Sequence, residues 1–209
     1  MVDGYGSYFT THYTIKNGFP VLVNTFGGRP TPPPPAGGPG AAKGKGKGGD
    51  GAPPAQAAAA PPAAPAPAPM DQMNNPHGIW LDTRDAAKPM LLVADRGNRR
   101  IVRYTLDDKP IDVVDGTKAP CHFHQYKDNL VVPDLQSRVT LYGKDNKVLV
   151  HLGDGLEGGA KVPSRTTENR GDFIPGKFVA PHGANFDHAG NIFVAEWVEI
   201  GRVTKLRKV

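Results

Sequence analysis

Short apolar runs bounded by turn formers recur along most of the chain. The runs "LLVAD", "LVVPD" and "IFVAE" are rich in Val, Ile and Leu, and each ends in an acidic residue. Polar stretches such as "LDDKP", "GKDNK" and "DHAGN" separate such runs. Short apolar runs with turn residues between them are typical of β-strands, and the apolar spacing has no helical period. We therefore expect an all-β fold.

Three longer segments align with one another around these strands, and they start at Pro76, Pro120 and Pro181. Each segment opens with proline and contains an apolar strand that ends in an acidic residue. A loop follows, and the next strand begins with an arginine and a β-branched residue. The acids are Asp95, Asp134 and Glu196, and the arginines are Arg100, Arg138 and Arg202. The spacing of the first two segments fits a propeller blade of about 40–45 residues and four strands. Recurrence in every blade indicates that these acids and arginines are architectural pairing partners.

The stretch "VDGYGSYFTTHYTIKNGFPVLVNTFGG" matches the repeat from its acid onward, so Asp3 aligns with Asp95. The chain then accounts for about three and a half blades of a β-propeller, with roughly 14 strands. The predicted parts are a partial blade at 1–28, an insertion at 29–71, and a propeller region at 72–209 with blades at 76–119, 120–175 (including a polar insertion) and 176–209 (partial).

The insertion at 29–71 consists largely of Pro, Ala, Gly and Lys, and residues 30–69 contain no Val, Ile, Leu, Phe, Tyr or Trp. Such a segment buries too little apolar surface to offset the entropy lost on ordering. We therefore predict that it is disordered. It falls between the outer strand of one blade and the inner strand of the next, where a long connection is tolerated.

Charge and cysteine content narrow the possible partners and compartments. The net charge of +5 is modest and does not favour nucleic acid as a partner. No apolar run is long enough to span a bilayer. The single cysteine, Cys121, excludes an intramolecular disulfide, which fits a reducing compartment without excluding export. The N-terminus has no basic region followed by an apolar one, so no signal peptide is predicted on this chain and the compartment stays open.

The tripeptide Pro-His-Gly occurs twice, in "NPHGIW" and "APHGAN", and places His77 and His182 at the same position of two blades separated by a third. Innermost strands line the channel of a propeller, and alternate blades of six lie about 120° apart. Three histidines around one point, with an open coordination position, form a catalytic zinc site. We therefore predict His77 and His182 as metal ligands. A third histidine is expected two blades before His77, encoded upstream of this chain.

The blade pattern resembles the NHL-repeat family of six-bladed β-propellers, and within it the bacterial relatives of the peptidyl-hydroxyglycine alpha-amidating lyase domain. The likeness rests on "VDGYGS", "PHGIWLD…LLVADRGNRRIVRYTLD" and "APHGANFDHAGNIFVAEW…GRVTKL", and it covers nearly all of the chain except the insertion. This resemblance implies that the chain is a C-terminal fragment of a longer propeller.

The resemblance also implies a metal-dependent lyase whose zinc ion is held by histidines in the channel. Calcium is the alternative ion for this chain. The resemblance implies that Tyr5 acts near the substrate hydroxyl and that Arg96 helps to bind the substrate. One position departs from the family, because Gly183 follows the last histidine where the lyase motif has an aspartate, and Gly78 stands in the other copy. That departure points away from a hydroxyglycine peptide as the substrate.

Each of these residues also has a structural interpretation. His77 and His182 could be packing elements whose rings hydrogen-bond to nearby carbonyls. Tyr5 could be an aromatic residue of the core or rim, and Arg96, which follows Asp95, could be an inter-blade salt-bridge partner. For the whole chain, the alternative is a non-catalytic binding module for a protein, peptide, small-molecule or glycan partner, because fold alone does not choose between these functions.

The intervening blade supplies further candidates. Cys121 occupies the position in its segment that His77 occupies in the first, and it is interpreted as a buried structural cysteine. His122 and His124 of the same blade could each add a metal ligand. Trp80 and Trp197 are expected to pack between blades. A half propeller would expose apolar blade faces and sheet edges, so self-association is also expected.

Overall fold

The computed structural model describes residues 1–29 and 67–209 of the chain. These residues form four antiparallel sheets, which confirms the predicted all-β fold class. Within those ranges the helical elements are three short 3-10 helices, and none is long and apolar enough to cross a membrane. Most of the insertion predicted to be disordered, residues 30–66, lies outside the described residues.

The strands of the described residues are, in chain order, β1 (Phe9–Lys16), β2 (Phe19–Gly27), β3 (Pro76–Asp82), β4 (Met90–Asp95), β5 (Arg100–Tyr104), β6 (Pro110–Val114), β7 (His124–Tyr126), β8 (Asn129–Asp134), β9 (Arg138–Tyr142), β10 (Val148–Leu152), β11 (Pro181–Phe186), β12 (Ile192–Glu196) and β13 (Arg202–Leu206). The 3-10 helices are Arg96–Asn98, Glu157–Gly159 and Arg170–Asp172.

Each sheet is an up-and-down meander in which strands that follow one another in sequence are paired. The first sheet is β1–β2, the second β3–β6, the third β7–β10 and the fourth β11–β13. Four-stranded antiparallel meanders are the form that propeller blades take. Tight turns set the pairing, as between β1 and β2, where Asn17 and Gly18 have φ values of 52° and 83°. Positive φ at both turn residues is the type I′ geometry, which matches the twist of the flanking strands.

In the second, third and fourth sheets, a buried acid at the end of the second strand links that strand to the next strand and to the segment that leads into the first. Asp95, which is 0% exposed, lies opposite Arg100 in the β4–β5 register and accepts from its Nε at 2.8 Å. Asp95 also accepts from the backbone N–H of Asn74 at 2.7 Å, just before β3. The equivalent ion pairs are Glu196 with Arg202 and, at a longer 3.8 Å, Asp134 with Arg138, and the equivalent backbone donors are Lys118 and Val179. The predicted acid–arginine pairing is therefore confirmed, and it joins strands of one sheet.

Consecutive sheets pack face to face and bury one apolar layer between each pair. Phe26 meets Tyr104 between the first and second sheets, with ring centroids 4.8 Å apart. Leu92 and Phe123 belong to the layer between the second and third sheets, against which Trp80 packs as predicted. The layer between the third and fourth sheets comprises Val131, Val139, Phe178, Ala184, Ile192 and Val194. Four meander sheets stacked in sequence order by their faces form a partial propeller.

The packed part of the chain begins before the predicted boundary at residue 72. Arg100 Nη2 donates to the carbonyl of Pro69 at 2.7 Å, and the hydroxyl of Tyr104 donates to that of Met70 at 2.9 Å. Met73 is 0% exposed. This segment has few apolar side chains of its own, and it is held by a buried arginine and a buried tyrosine of β5.

Apolar side chains stand exposed on the outer sheets, and we expect the chain to self-associate for this reason. On β2, Phe19, Leu22 and Val23 are 71%, 59% and 54% exposed, and on β13 Val203 is 70% exposed. Contiguous exposed apolar surface favours association. Sedimentation velocity of the purified chain should show species larger than the monomer, and Leu22→Glu should shift them toward the monomer. A single monomeric species at all concentrations would contradict this expectation.

Candidate metal centre

The first strands of the second and fourth sheets bring the two predicted histidines together. The Nε2 atoms of His77 on β3 and His182 on β11 lie 2.8 Å apart, and the ring planes are nearly perpendicular at 85°. Burial lowers the pKa of His77 to about 4, with the nearby charges of Arg96 and His182 acting in the same direction. Burial also lowers the pKa of His182, with Arg96 and His122 adding to it. His77 is therefore neutral at pH 7 and offers a ring-nitrogen lone pair.

Cys121 lies in the same cluster, although sequence reasoning assigned it a structural role. Its Sγ and one ring nitrogen each of His77 and His182 all lie within 4.8 Å of one another. Cys121 is 2% exposed and directly precedes the segment that leads into β7 of the third sheet. Burial raises the pKa of its thiol, and the Arg96 guanidinium opposes this shift. Three consecutive sheets thus contribute one nitrogen or sulfur donor each.

The two other histidines of the third sheet stand outside this cluster. His124 Nδ1 accepts from the backbone N–H of Phe186 at 3.2 Å, and its ring lies 5.5 Å from that of Trp80. The Nδ1 atom of His122 is buried and has no hydrogen-bond partner among the described residues. Neither histidine joins the group of three donors.

Arg96 faces the cluster from the short helix that follows β4. Its Nη1 lies 3.3 Å from His77 Nε2 and 3.9 Å from Cys121 Sγ. Its Nη2 donates to the Tyr5 hydroxyl at 3.0 Å, and its Nε donates to Asn75 Oδ1 at 2.6 Å. Among the described residues Arg96 forms no ion pair with a carboxylate, and the neighbouring Asp95 is paired with Arg100 of the opposing strand.

Tyr5 lies at the rim of the cluster on a turn built around Asp3. The Asp3 carboxylate accepts from the backbone N–H groups of Gly6 and Ser7, both at 2.8 Å, and these bonds lower its pKa. Tyr5 is 71% exposed, which rules out a place in the core, and its ring meets that of His77 edge-on at 5.9 Å. The phenol is therefore open to solvent on one side and held by Arg96 on the other.

Asn75 connects the Tyr5 turn to Arg96, and sequence reasoning overlooked it. Its side-chain amide donates to the carbonyl of Gly4, and its Oδ1 accepts from Arg96. The sequence contained one indication of this role. The residue before Pro-His-Gly is the polar Asn75 in one copy and the apolar Ala180 in the other.

A groove beside His182 contains Trp197, which was expected to pack between blades. That expectation is wrong, because Trp197 is 48% exposed. Its ring lies 6.1 Å from that of His182, and the guanidinium of Arg165 stacks over it at 3.8 Å. The groove has a volume of about 330 Å³, and Val162, Pro163 and Val179 supply apolar lining. An exposed indole under a guanidinium is a surface suited to binding a partly apolar ligand.

No family model and no curated protein matches this chain. Among solved structures, two of virginiamycin B lyase from Staphylococcus aureus are similar to it. The selenomethionine-substituted protein is 13% identical, and a catalytically inactive variant with quinupristin is 14% identical, each with a TM-score of 0.40. Each comparison covers 64% of this chain and 41% of the other, so the chain spans about two fifths of the length of these structures. Identity this low assigns no role to any residue here.

Proposed function

We propose that the chain belongs to a six-bladed, NHL-type β-propeller enzyme with a divalent metal centre of lyase-like function, held by His77 and His182. The observation that carries the proposal is the convergence of these two rings from alternate sheets, with their Nε2 atoms 2.8 Å apart beside a buried thiol. Two imidazoles brought this close, one of them neutral at pH 7, match the donors that bind transition metals.

The donor atoms fit zinc better than calcium. Calcium takes six to eight oxygen ligands, whereas the atoms that converge here are nitrogen and sulfur, which zinc prefers. His77 and His182 would hold the ion in place of the hydrogen bond that now joins them. When bound, such an ion acts as a Lewis acid toward a hydroxyl or carbonyl oxygen.

Tyr5 and Arg96 are the residues that we propose to act on the substrate. Tyr5 is exposed and its ring centroid lies 5.9 Å from that of His77, so its phenol oxygen, once ionised beside Arg96, can take a proton from a substrate hydroxyl bound at the cluster. Arg96 holds that phenol at 3.0 Å and carries a fixed positive charge, which favours a substrate with a carboxylate or another anionic group. Its bond to Asn75 fixes the guanidinium for both roles.

Metal analysis of the purified chain tests this proposal. We expect near-stoichiometric zinc, which is lost in His77→Ala and in His182→Ala because each change removes one of two nitrogen donors. His188→Ala is the matched control, since His188 is an exposed histidine in the β11–β12 turn. A chelator should lower the melting temperature of the wild type and of this control. Metal-free protein whose stability is the same with and without chelator would overturn the proposal.

A second candidate function is that of a non-catalytic binding module for a peptide, small molecule, glycan or protein partner. The groove at Trp197 favours it, because an exposed indole stacked under Arg165 needs no metal to bind a ligand. The metal measurement separates the two functions. A metal-free chain leaves the binding module, whereas zinc that depends on both histidines supports the enzyme.

A further inference from the structure

We infer that Cys121 is the third protein ligand of this centre, so that the site is built from two histidines and one cysteine of three consecutive sheets. The inference rests on the proposed metal centre and adds a donor that the two-histidine proposal lacks. His77, Cys121 and His182 each follow the proline that opens their segment. Their donor atoms lie within 4.8 Å of one another. Two histidines and a thiolate give zinc three strong ligands and leave one position open for a substrate.

The backbone holds the thiol in this position. The N–H of Cys121 donates to the carbonyl of Pro133 at 3.0 Å, and Pro120 forms a bridge with Asp134. On the other side, Gly78 lets β3 approach closely, since a Cβ there would stand 2.7 Å from the Cys121 carbonyl oxygen. The segment is therefore clamped between β8 and β3, and the thiol is presented to the histidines by a rigid frame.

Charge balance also favours a thiolate at this point. Arg96 places a guanidinium 3.3 Å from His77 Nε2, so an ion held by neutral imidazoles alone would leave its full double charge beside a third positive charge. A cysteine that coordinates a metal is deprotonated, which reduces the total charge by one. The thiolate would also accept from Arg96 Nη1, which lies 3.9 Å from Sγ. The positive charge of Arg96 therefore disfavours a metal ion held by two histidines alone. It favours a site that also includes the Cys121 thiolate.

Cobalt(II) titration of the metal-free chain tests the inference. Because Cys121 is the only cysteine, any thiolate-to-cobalt charge-transfer band in the near ultraviolet belongs to it. We expect this band in the wild type and in His188→Ala, and we expect its loss in Cys121→Ser. Cobalt affinity of Cys121→Ser should fall by more than the roughly 10–100-fold that loss of an outer-shell partner costs.

Alkylation of the wild-type thiol gives a readout that does not depend on the folding of a variant. Bound zinc should slow modification of Cys121 by iodoacetamide. Cobalt binding without a thiolate band, with equal affinity in Cys121→Ser and unprotected alkylation, would overturn the inference and leave the two-histidine centre standing. Failure of the wild type to bind cobalt or zinc would overturn the metal centre itself, and the cysteine ligand with it.

Discussion

Replacing Asp95 with alanine is expected to destabilise the fold by about 3–5 kcal/mol, the cost of removing one partner from a buried ion pair. Asp95 is 0% exposed, and its carboxylate accepts from Arg100 Nε and Asn98 Nδ2, both at 2.8 Å. Without it, the Arg100 guanidinium stays in a largely buried position with only backbone carbonyls as partners. The backbone N–H of Asn74 loses its acceptor as well.

Chemical denaturation monitored by circular dichroism measures the effect. Asp107→Ala is the matched control, because Asp107 is an exposed aspartate in the turn between β5 and β6 and should tolerate the change. Equal unfolding midpoints for the two variants would show that the recurring acid does not hold the sheet together. The metal centre should weaken too, because Asp95 fixes the segment from which Asn75 and His77 extend.

The recurring acids illustrate what the sequence allows one to predict. Asp95 and Arg100 lie at the two ends of the short connection between β4 and β5. The repeated pattern of an acid, a loop and an arginine therefore predicts an ion pair between residues that are close in sequence. The same order of acid, loop and arginine predicts the pairs of the third and fourth sheets, although the loops differ in length. Strand order follows from these hairpins, because each sheet pairs strands that are neighbours in sequence.

The convergence of His77 and His182 was also foreseeable, since equivalent positions of a repeat meet near one axis when the sheets stack. The role of Cys121 was not. A cysteine in an apolar repeat is consistent with burial alone, and burial is what the structure shows. What brings its sulfur to the histidines is a backbone approach at Gly78, which depends on how two sheets pack and which no local pattern encodes.

Arg96 and Trp197 show a further limit of sequence reasoning. The repeat pairs Arg100 with Asp95, as the strand register shows, but it does not determine where the side chain of Arg96 turns. Arg96 is then free to turn toward Tyr5 and His77. Tryptophan is usually packed for its large apolar area, yet Trp197 is half-exposed, and Arg165 of the polar insertion stacks over one face of its ring. Long-range contacts of this kind follow from the tertiary arrangement.

The second large effect is expected for Gly78→Ala, which should destabilise the fold by about 1–3 kcal/mol, as overpacking does, and should also disrupt the metal centre. A Cβ at residue 78 would stand 2.7 Å from the Cys121 carbonyl oxygen and 3.0 Å from His122 Cα. Both are backbone atoms, so β3 and the segment before β7 would have to move apart. That movement would draw His77 away from Cys121.

Gly183→Ala is the matched control for this change, because Gly183 follows the histidine of the other Pro-His-Gly copy. Its Cβ would meet only Ala195 Cβ at 3.9 Å, an ordinary contact. The alanine variant should therefore keep wild-type stability or gain slightly from the loss of unfolded-state freedom. Chemical denaturation and the cobalt spectrum should both separate the two variants. If Gly78→Ala matched Gly183→Ala in both measurements, the close approach of β3 to Cys121 would be wrong. Gly78 would then be no more important for the metal site than Gly183.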